Sequence, residues 1–237
     1  EYTKLYDSMT KRVDGSDETG FIQVLSYLNP VVIIDESHNF EANLRVEMLN
    51  AINPCFIMDL TATPRKKSNI ISFVDAIKLK RANMVKLPVI VYNHRSTDEV
   101  ISKAINLQRS LEIKAKEQES NGGRYIRPIV LFQAQPRTND DNITFEKIKQ
   151  RLVEIGISEE QIKIKTADKD ELKSVDLMSK DCPVRYIITV NALKEGWDCP
   201  FAYILASLAN KTSRVDVEQI LGRVLRLPYT TKHKDDL

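Results

Sequence analysis

Several features are scarce in this 237-residue sequence, and each scarcity excludes a class of protein. Only 7 residues are glycine, which excludes collagen-like and glycine-rich linker chains. The 3 cysteines are an odd number and form no CxxC pair, so we expect no disulfide framework and a reducing, cytoplasmic location. No apolar run approaches the roughly 20 residues that cross a bilayer, and no membrane segment is predicted.

An excess of one charge is also missing, because 35 basic and 33 acidic residues give a formal net charge of +2. The distribution is uneven, however. Segment 64–90 has seven basic side chains and one acid, a local net charge of 7 − 1 = +6. Two interpretations of this segment are equally good: a surface that contacts phosphates, or a lysine-rich face exposed to solvent.

Short apolar runs alternate with longer helical patterns, which is typical of an α/β fold. Segments 31–34 and 55–60 are apolar on nearly every residue, as expected for parallel strands buried on both faces. Further strands are predicted at 129–132, 186–190 and 203–205, and helices at 41–52, 97–121 (with Thr97 as its N-cap), 144–155 and 215–227. We therefore predict two parallel α/β units, residues 1–88 and 96–237, joined by a linker at 89–95.

Two adjacent acids, Asp35 and Glu36, follow the first predicted strand. Ligands of open α/β sheets bind at the carboxyl ends of the strands. Asp35 is suited to hold Mg²⁺ through water, and Glu36 to orient and deprotonate an attacking water. A solvated acidic turn at the start of a helix explains the two residues equally well.

Thr61 and Thr63 follow the second predicted strand in the sequence Thr61-Ala62-Thr63-Pro64. Their hydroxyls are suited to hydrogen-bond a neighbouring acid or His38, and so to link two loops. Taken alone, the segment is better explained as a strand end before a proline turn.

Gly196 and Asp198 follow a later strand, where glycine lets a ligand approach the backbone closely and the acid supplies an acceptor. A simple turn is the alternative.

Gln219, Arg223 and Arg226 lie at i, i+4 and i+7 of a predicted helix and therefore share one face. Two guanidinium groups and an amide on one face suit a phosphate clamp, although a solvated basic face has the same pattern.

In chain order, these four groups resemble motifs II, III, V and VI of superfamily 2 helicases and translocases. Segments 193–200 and 217–226 are most similar to the restriction (Res) subunit of type III restriction-modification enzymes. The resemblance implies two RecA-like lobes that bind ATP and Mg²⁺ between them, with the first lobe incomplete at its N-terminus.

The resemblance also implies a role for each residue. Asp35 corresponds to the metal-binding acid and Glu36 to the catalytic base. His38, Thr61 and Thr63 correspond to residues that couple the nucleotide state to the grip on nucleic acid. The nucleotide-facing loop and helix correspond to Gly196, Asp198, Gln219, Arg223 and Arg226, with the arginines acting on the γ-phosphate.

The sequence departs from this family in lacking the phosphate loop GxxxxGK[ST], since no lysine follows any glycine. It also begins with Glu1 rather than methionine. We therefore expect a fragment that begins inside the first lobe and is inactive alone, with the family's nuclease domain lying beyond Leu237.

The resulting hypothesis is the motor portion of an ATP-dependent DNA translocase, with DNA and a DNA-methyltransferase (modification) subunit as partners. Two alternatives stay open at this point. One is another superfamily 2 helicase, acting in DNA repair or on RNA. The other is a nucleic-acid-binding module that has the fold but does not use nucleotide.

Overall fold

The computed structural model describes residues 20–35, 37, 43–61, 64, 68–137, 142–190, 198–208, 221–222 and 224–231. By its internal contacts the chain divides into two compact units, Glu1–Phe73 (unit 1) and Val74–Leu237 (unit 2). This division falls earlier in the chain than the limit near residue 88 that we predict from the sequence. The segment that follows Val74 therefore belongs, by its contacts, with unit 2.

Helices and strands are interspersed along the described residues. The helices are α1 (Phe21–Leu28), α2 (Asn43–Ile52), α3 (Ala76–Arg81), α4 (Thr97–Ser120) and α5 (Phe145–Glu154). The strands are β1 (Val31–Asp35), β2 (Phe56–Leu60), β3 (Ile129–Gln133), β4 (Ile162–Lys165), β5 (Tyr186–Thr189) and β6 (Ala202–Ser207). Single 3₁₀ turns are formed by Glu159–Gln161 and Pro228–Thr230.

In unit 1, β1 and β2 form a two-stranded parallel sheet in which Asp35 lies opposite Leu60. The parallel pairing agrees with the sequence prediction. The predicted burial on both faces is wrong, since Ile33 is 62% and Phe56 47% exposed. A sheet of two strands leaves much of both faces open, and α1 packs mainly on α2.

Unit 2 contains a four-stranded, all-parallel sheet with the order β4-β5-β3-β6. The two central strands, β3 and β5, are buried at every position. A parallel sheet needs crossover connections that cover its faces, which is why its central strands are mainly apolar, with polar residues only at their carboxyl ends, Gln133 and Thr189. The predicted α/β class with parallel sheets is confirmed.

The core of unit 2 lies on both sides of this sheet because successive strand residues point to opposite faces. Val130 and Phe132 pack in one cluster with residues of α4 and α5. Ile129 and Leu131 pack in a second cluster on the other face, together with Phe201. Phe132 and Phe201 are fully buried, so each cluster contains a fully buried aromatic side chain.

Two local predictions are corrected by the structure. The N-cap of α4 is Ser96 rather than Thr97, and its hydroxyl accepts a hydrogen bond from the backbone N–H of Glu99 at 3.2 Å. The helix predicted over 215–227 ends before Arg226, which lies in an antiparallel bridge with Val85. Pro228 favours this ending because the residue before a proline avoids the helical conformation.

Candidate functional site

At the carboxyl edge of the unit 1 sheet lie two of the predicted site residues. Asp35 ends β1, and its register partner Leu60 is followed directly by Thr61. Parallel strands end at the same edge, so an acid and a hydroxyl are placed on adjacent strand ends. Ser37, which follows two residues after Asp35, is buried. The predicted residues Glu36, His38 and Thr63 lie outside the described residues.

In unit 2, an ion pair joins two of the predicted site residues that are distant in sequence. Asp198 Oδ2 lies 2.7 Å from Arg226 Nη1, and both side chains are about half exposed. An exposed pair of this kind contributes about 0.2–1 kcal/mol to stability, so it is easily exchanged for another partner. Gly196, Gln219 and Arg223 lie outside the described residues.

The backbone around Arg226 is fixed by the segment 84–86. Val85 and Arg226 form the antiparallel bridge. The backbone N–H of Lys86 donates a hydrogen bond to the carbonyl of Leu225 at 2.6 Å. The backbone N–H of Leu227 donates a hydrogen bond to the carbonyl of Met84 at 3.0 Å. These hydrogen bonds set the position of Arg226 independently of its side-chain contact with Asp198.

The side chain of Lys86 extends from the same segment to the loop that follows Asp198. Its Nζ donates hydrogen bonds to the carbonyls of Pro200 at 2.9 Å and Ala202 at 2.6 Å. It also lies 4.0 Å from the ring centroid of Tyr203, within the range of a cation–π interaction. Lys86 therefore connects residues 84–86 to the start of β6.

Burial changes the ionisation of the groups around Lys86. Desolvation lowers the pKa of Lys86 to about 7, although the nearby carboxylate of Asp198 opposes that shift. Burial raises the pKa of the Cys199 thiol to about 11 and also raises the pKa of Tyr203. At neutral pH the thiol and the phenol are therefore neutral, whereas the amine is close to half protonated.

Within the described part of the chain, the carboxyl edge of the unit 2 sheet carries two buried polar atoms without a hydrogen-bond partner, Gln133 Nε2 and Thr189 Oγ1. The two residues are register partners at the ends of β3 and β5. Only the carbonyl oxygen of the Gln133 side chain is satisfied, by the hydroxyl of Ser207 at 3.0 Å. A polar group or a water at this edge would satisfy the two remaining atoms.

A divalent cation would find a limited set of protein ligands here. Among the residues that the structure describes, no group of three His, Cys, Asp or Glu side chains could hold a metal ion. Mg²⁺ that is bound to phosphates needs only one or two carboxylates and keeps several waters. Asp35, an exposed carboxylate at a strand end, fits that requirement.

Sequence reasoning missed Lys86 and Val85 as parts of this site. Lys86 belongs to no motif and is one of seven basic residues in segment 64–90. Its position becomes apparent only when the fold brings residues 84–86 beside 225–227. The weak signal in the sequence is a single lysine between apolar residues, in Met84-Val85-Lys86-Leu87.

Residues 2–66 match the family model described as "Type III restriction enzyme, res subunit". This match contains the first two of the four motifs and confirms the resemblance drawn from them. No curated protein with significant similarity was found. Within the described residues, no helix is both long and apolar enough to cross a membrane.

The chain is also similar to a solved structure of Saccharomyces cerevisiae Dbp5, a variant bound to RNA and ADP BeF3, at 12% sequence identity and a TM-score of 0.46. The similarity covers 85% of this chain and 53% of the yeast chain. The chain thus spans about half the length of that neighbour.

Proposed function

We propose that this chain is part of an ATP-driven motor of superfamily 2 that moves on DNA, most similar to the Res subunit of type III restriction enzymes. The observation that carries the proposal is the family match over residues 2–66, since it contains both Asp35 and Thr61. These two residues lie at one carboxyl edge of a parallel sheet, where α/β proteins bind nucleotides. Two RecA-like lobes are part of the same proposal.

In the proposed reaction, residues of unit 1 handle the attacking water. Asp35 would hold Mg²⁺, which supplies charge neutralisation to the phosphates when bound. Glu36 orients and deprotonates the water. His38, Thr61 and Thr63 couple the state of the bound nucleotide to the binding of nucleic acid. Asp35 lies at the end of β1, and Thr61 directly follows the end of the adjacent strand β2.

Residues of unit 2 stabilise the negative charge that develops on the phosphates. Arg223 and Arg226 are the candidates for this role, with Gly196, Asp198 and Gln219 around the nucleotide. Arg226 is well suited because its ion pair with Asp198 is exposed and weak, so a phosphate oxygen competes for the guanidinium. A DNA-methyltransferase subunit and a nuclease domain would belong to the complete assembly.

The experiment is ATP hydrolysis by the natural full-length protein, with duplex DNA, single-stranded DNA or RNA added. We expect the largest stimulation with duplex DNA. Stimulation by RNA alone would assign the motor to an RNA helicase, and a protein that neither binds nor hydrolyses ATP would contradict the proposal. Titration of Mg-ATP into the 237-residue chain, with Arg223→Ala as control, then tests whether this segment binds nucleotide without a phosphate loop.

We expect Glu36→Gln in the full-length protein to retain ATP binding and to lose turnover, because the amide cannot accept the proton of the attacking water. Calorimetry measures the binding and a phosphate-release assay the turnover. If Glu36→Gln hydrolysed ATP at the wild-type rate, Glu36 would not be the base.

A further inference from the structure

We infer that Lys86 is a positioning residue for Arg226, and that it acts by fixing the segment 84–86 between the loop after Asp198 and the backbone of residues 225–227. We call these contacts the Lys86 clasp. The inference deepens the proposed function, because its catalytic consequence depends on Arg226 acting on phosphate.

The Lys86 clasp forms a closed circuit of contacts within unit 2. From Lys86 Nζ the circuit runs through the carbonyl of Pro200 to Asp198, two residues earlier. It crosses the 2.7 Å ion pair to Arg226, and returns through the Val85 bridge to Lys86. In a closed circuit, removal of one link gives the opposite link more freedom. Arg226 is thus held from two sides, and Lys86 supplies one of them.

The links of the circuit differ in strength. The Asp198–Arg226 pair is exposed, whereas the Lys86 side chain makes two hydrogen bonds and an aromatic contact in a partly buried position. Two partly buried hydrogen bonds and an aromatic contact together hold a side chain more firmly than one exposed ion pair does. Lys86 can therefore keep residues 84–86 and 198–202 together when the guanidinium exchanges Asp198 for another anion. The backbone of Arg226 then keeps its position while its guanidinium changes ion-pair partner.

The charged and titratable groups around Lys86 support this role. Cys199 is buried beside it, Tyr203 lies under its amine, and Asp198 is the nearby carboxylate that attracts it. With the thiol and phenol neutral, Asp198 is shared electrostatically between Lys86 and Arg226. Removal of the Lys86 amine would take away one of the two described cations that interact with Asp198.

The test is a double-mutant cycle in the full-length protein, with Lys86→Met and Arg226→Ala made singly and together. We expect Lys86→Met to lower kcat for ATP about 10- to 100-fold and to change KM much less, as for a misplaced catalytic group. In the Arg226→Ala background the same change should have little further effect on kcat. Lys86→Arg keeps a cation and several donors, and it should recover part of the loss.

The matched control is Lys103→Met, an exposed lysine of α4 in the same unit, which should change neither parameter. A Lys86→Met variant with wild-type kcat, or with an equal loss of kcat in the Arg226→Ala background, would overturn the inference. If the wild-type protein hydrolyses no ATP, the proposed function fails, and the cycle is then measured by urea unfolding of the full chain. There the midpoint shift caused by Lys86→Met should be smaller when Arg226 is alanine, and equal shifts would overturn the inference without reference to ATP.

Discussion

At the scale of single residues, Arg226 is held by two different kinds of contact. Its guanidinium pairs with Asp198 in the solvent, and its backbone pairs with Val85. The first contact can be exchanged for a phosphate, whereas the second fixes the place from which the side chain reaches out. An arginine that contacts a ligand only in part of a reaction cycle needs a fixed backbone position and a side-chain partner that it can exchange.

We expect Arg226→Ala in the full-length protein to lower kcat about 10³-fold if Arg226 stabilises the transition state, because an arginine finger contributes that much. The fold should be retained, since the exposed ion pair contributes at most about 1 kcal/mol. Steady-state hydrolysis and urea unfolding measure the two effects. Arg223→Ala is made in parallel, and the larger loss of kcat identifies the finger. Near wild-type turnover in both variants would exclude both arginines.

Lys86 also predicts a dependence of stability on pH. Its pKa is lowered from 10.5 to about 7 in the folded state, so between these values the unfolded chain binds more protons. The free energy of unfolding therefore rises with pH over this window, by at most about 1.4 kcal/mol per pH unit. Above pH 9 the raised pKa of Cys199 acts in the opposite direction, because the unfolded thiol ionises first.

The measurement is the difference in unfolding free energy between wild type and Lys86→Met from pH 7 to 9, where the contributions of other groups cancel. We expect this difference to shift in favour of the wild type as pH rises. Lys103→Met, at an exposed position of α4, is the control for the loss of a lysine. A flat result for Lys86→Met would mean that the amine has an ordinary pKa.

At the scale of elements, the sequence predicts strands and helices well where local pattern and burial agree. β3 and β5 are apolar except at their last residues, and the long helix α4 has the expected helical period. β4 is missing from the prediction, because its four residues alternate between isoleucine and lysine and the run is too short to stand out. The sequence pattern overestimates the burial of β1 and β2. An apolar run shows that a strand is suited to a core, but it does not show how many other elements cover that strand.

The N-cap of α4 gives a test at this scale. We expect Ser96→Ala to lower the free energy of unfolding by about 1 kcal/mol, because the N–H of Glu99 loses its side-chain acceptor. Thr97→Ala, one residue later and inside the helix, is the matched control and should have a much smaller effect. Urea unfolding monitored by circular dichroism measures both. Equal losses of unfolding free energy in the two variants would contradict the assignment of Ser96 as the N-cap.

Half of the candidate site follows from the sequence in a similar way. Asp35 and Thr61 are predictable because each ends an apolar run, and parallel strands bring their ends together. The pairing of Asp198 with Arg226 follows less directly, since it needs the chain to return over unit 2. Val85 and Lys86 could not be predicted, because long-range pairing of a short irregular segment leaves no periodic signal.

At the scale of the whole molecule, a net charge of +2 conceals a concentration of basic residues in segment 64–90. The described part of this segment includes α3, which carries Lys78, Lys80 and Arg81 at exposed positions. Three cations on a six-residue helix form a compact positive surface on unit 2. If the protein moves on DNA, this surface is a candidate contact for phosphates.

We expect the triple replacement of Lys78, Lys80 and Arg81 by glutamine to make the salt dependence of duplex DNA binding less steep. The slope of log K against log salt should fall in magnitude by about 2–3, since each phosphate that a cation neutralises adds about 0.9 to it. Fluorescence anisotropy at several salt concentrations measures this slope. The matched control replaces the exposed lysines Lys103, Lys114 and Lys173, and an unchanged slope for the α3 variant would remove this helix from the interface.

The exposed faces of β1 and β2 have a practical consequence for protein production. Apolar side chains such as Ile33 and Phe56 lie open to solvent on a sheet that has two strands among the described residues, and exposed strand edges pair with other chains. Unit 2, whose sheet is covered on both sides, has no comparable adhesive surface among its described strands. We therefore expect the exposed strand faces of unit 1 to promote association of the recombinant chain, which size-exclusion chromatography at several protein concentrations would detect.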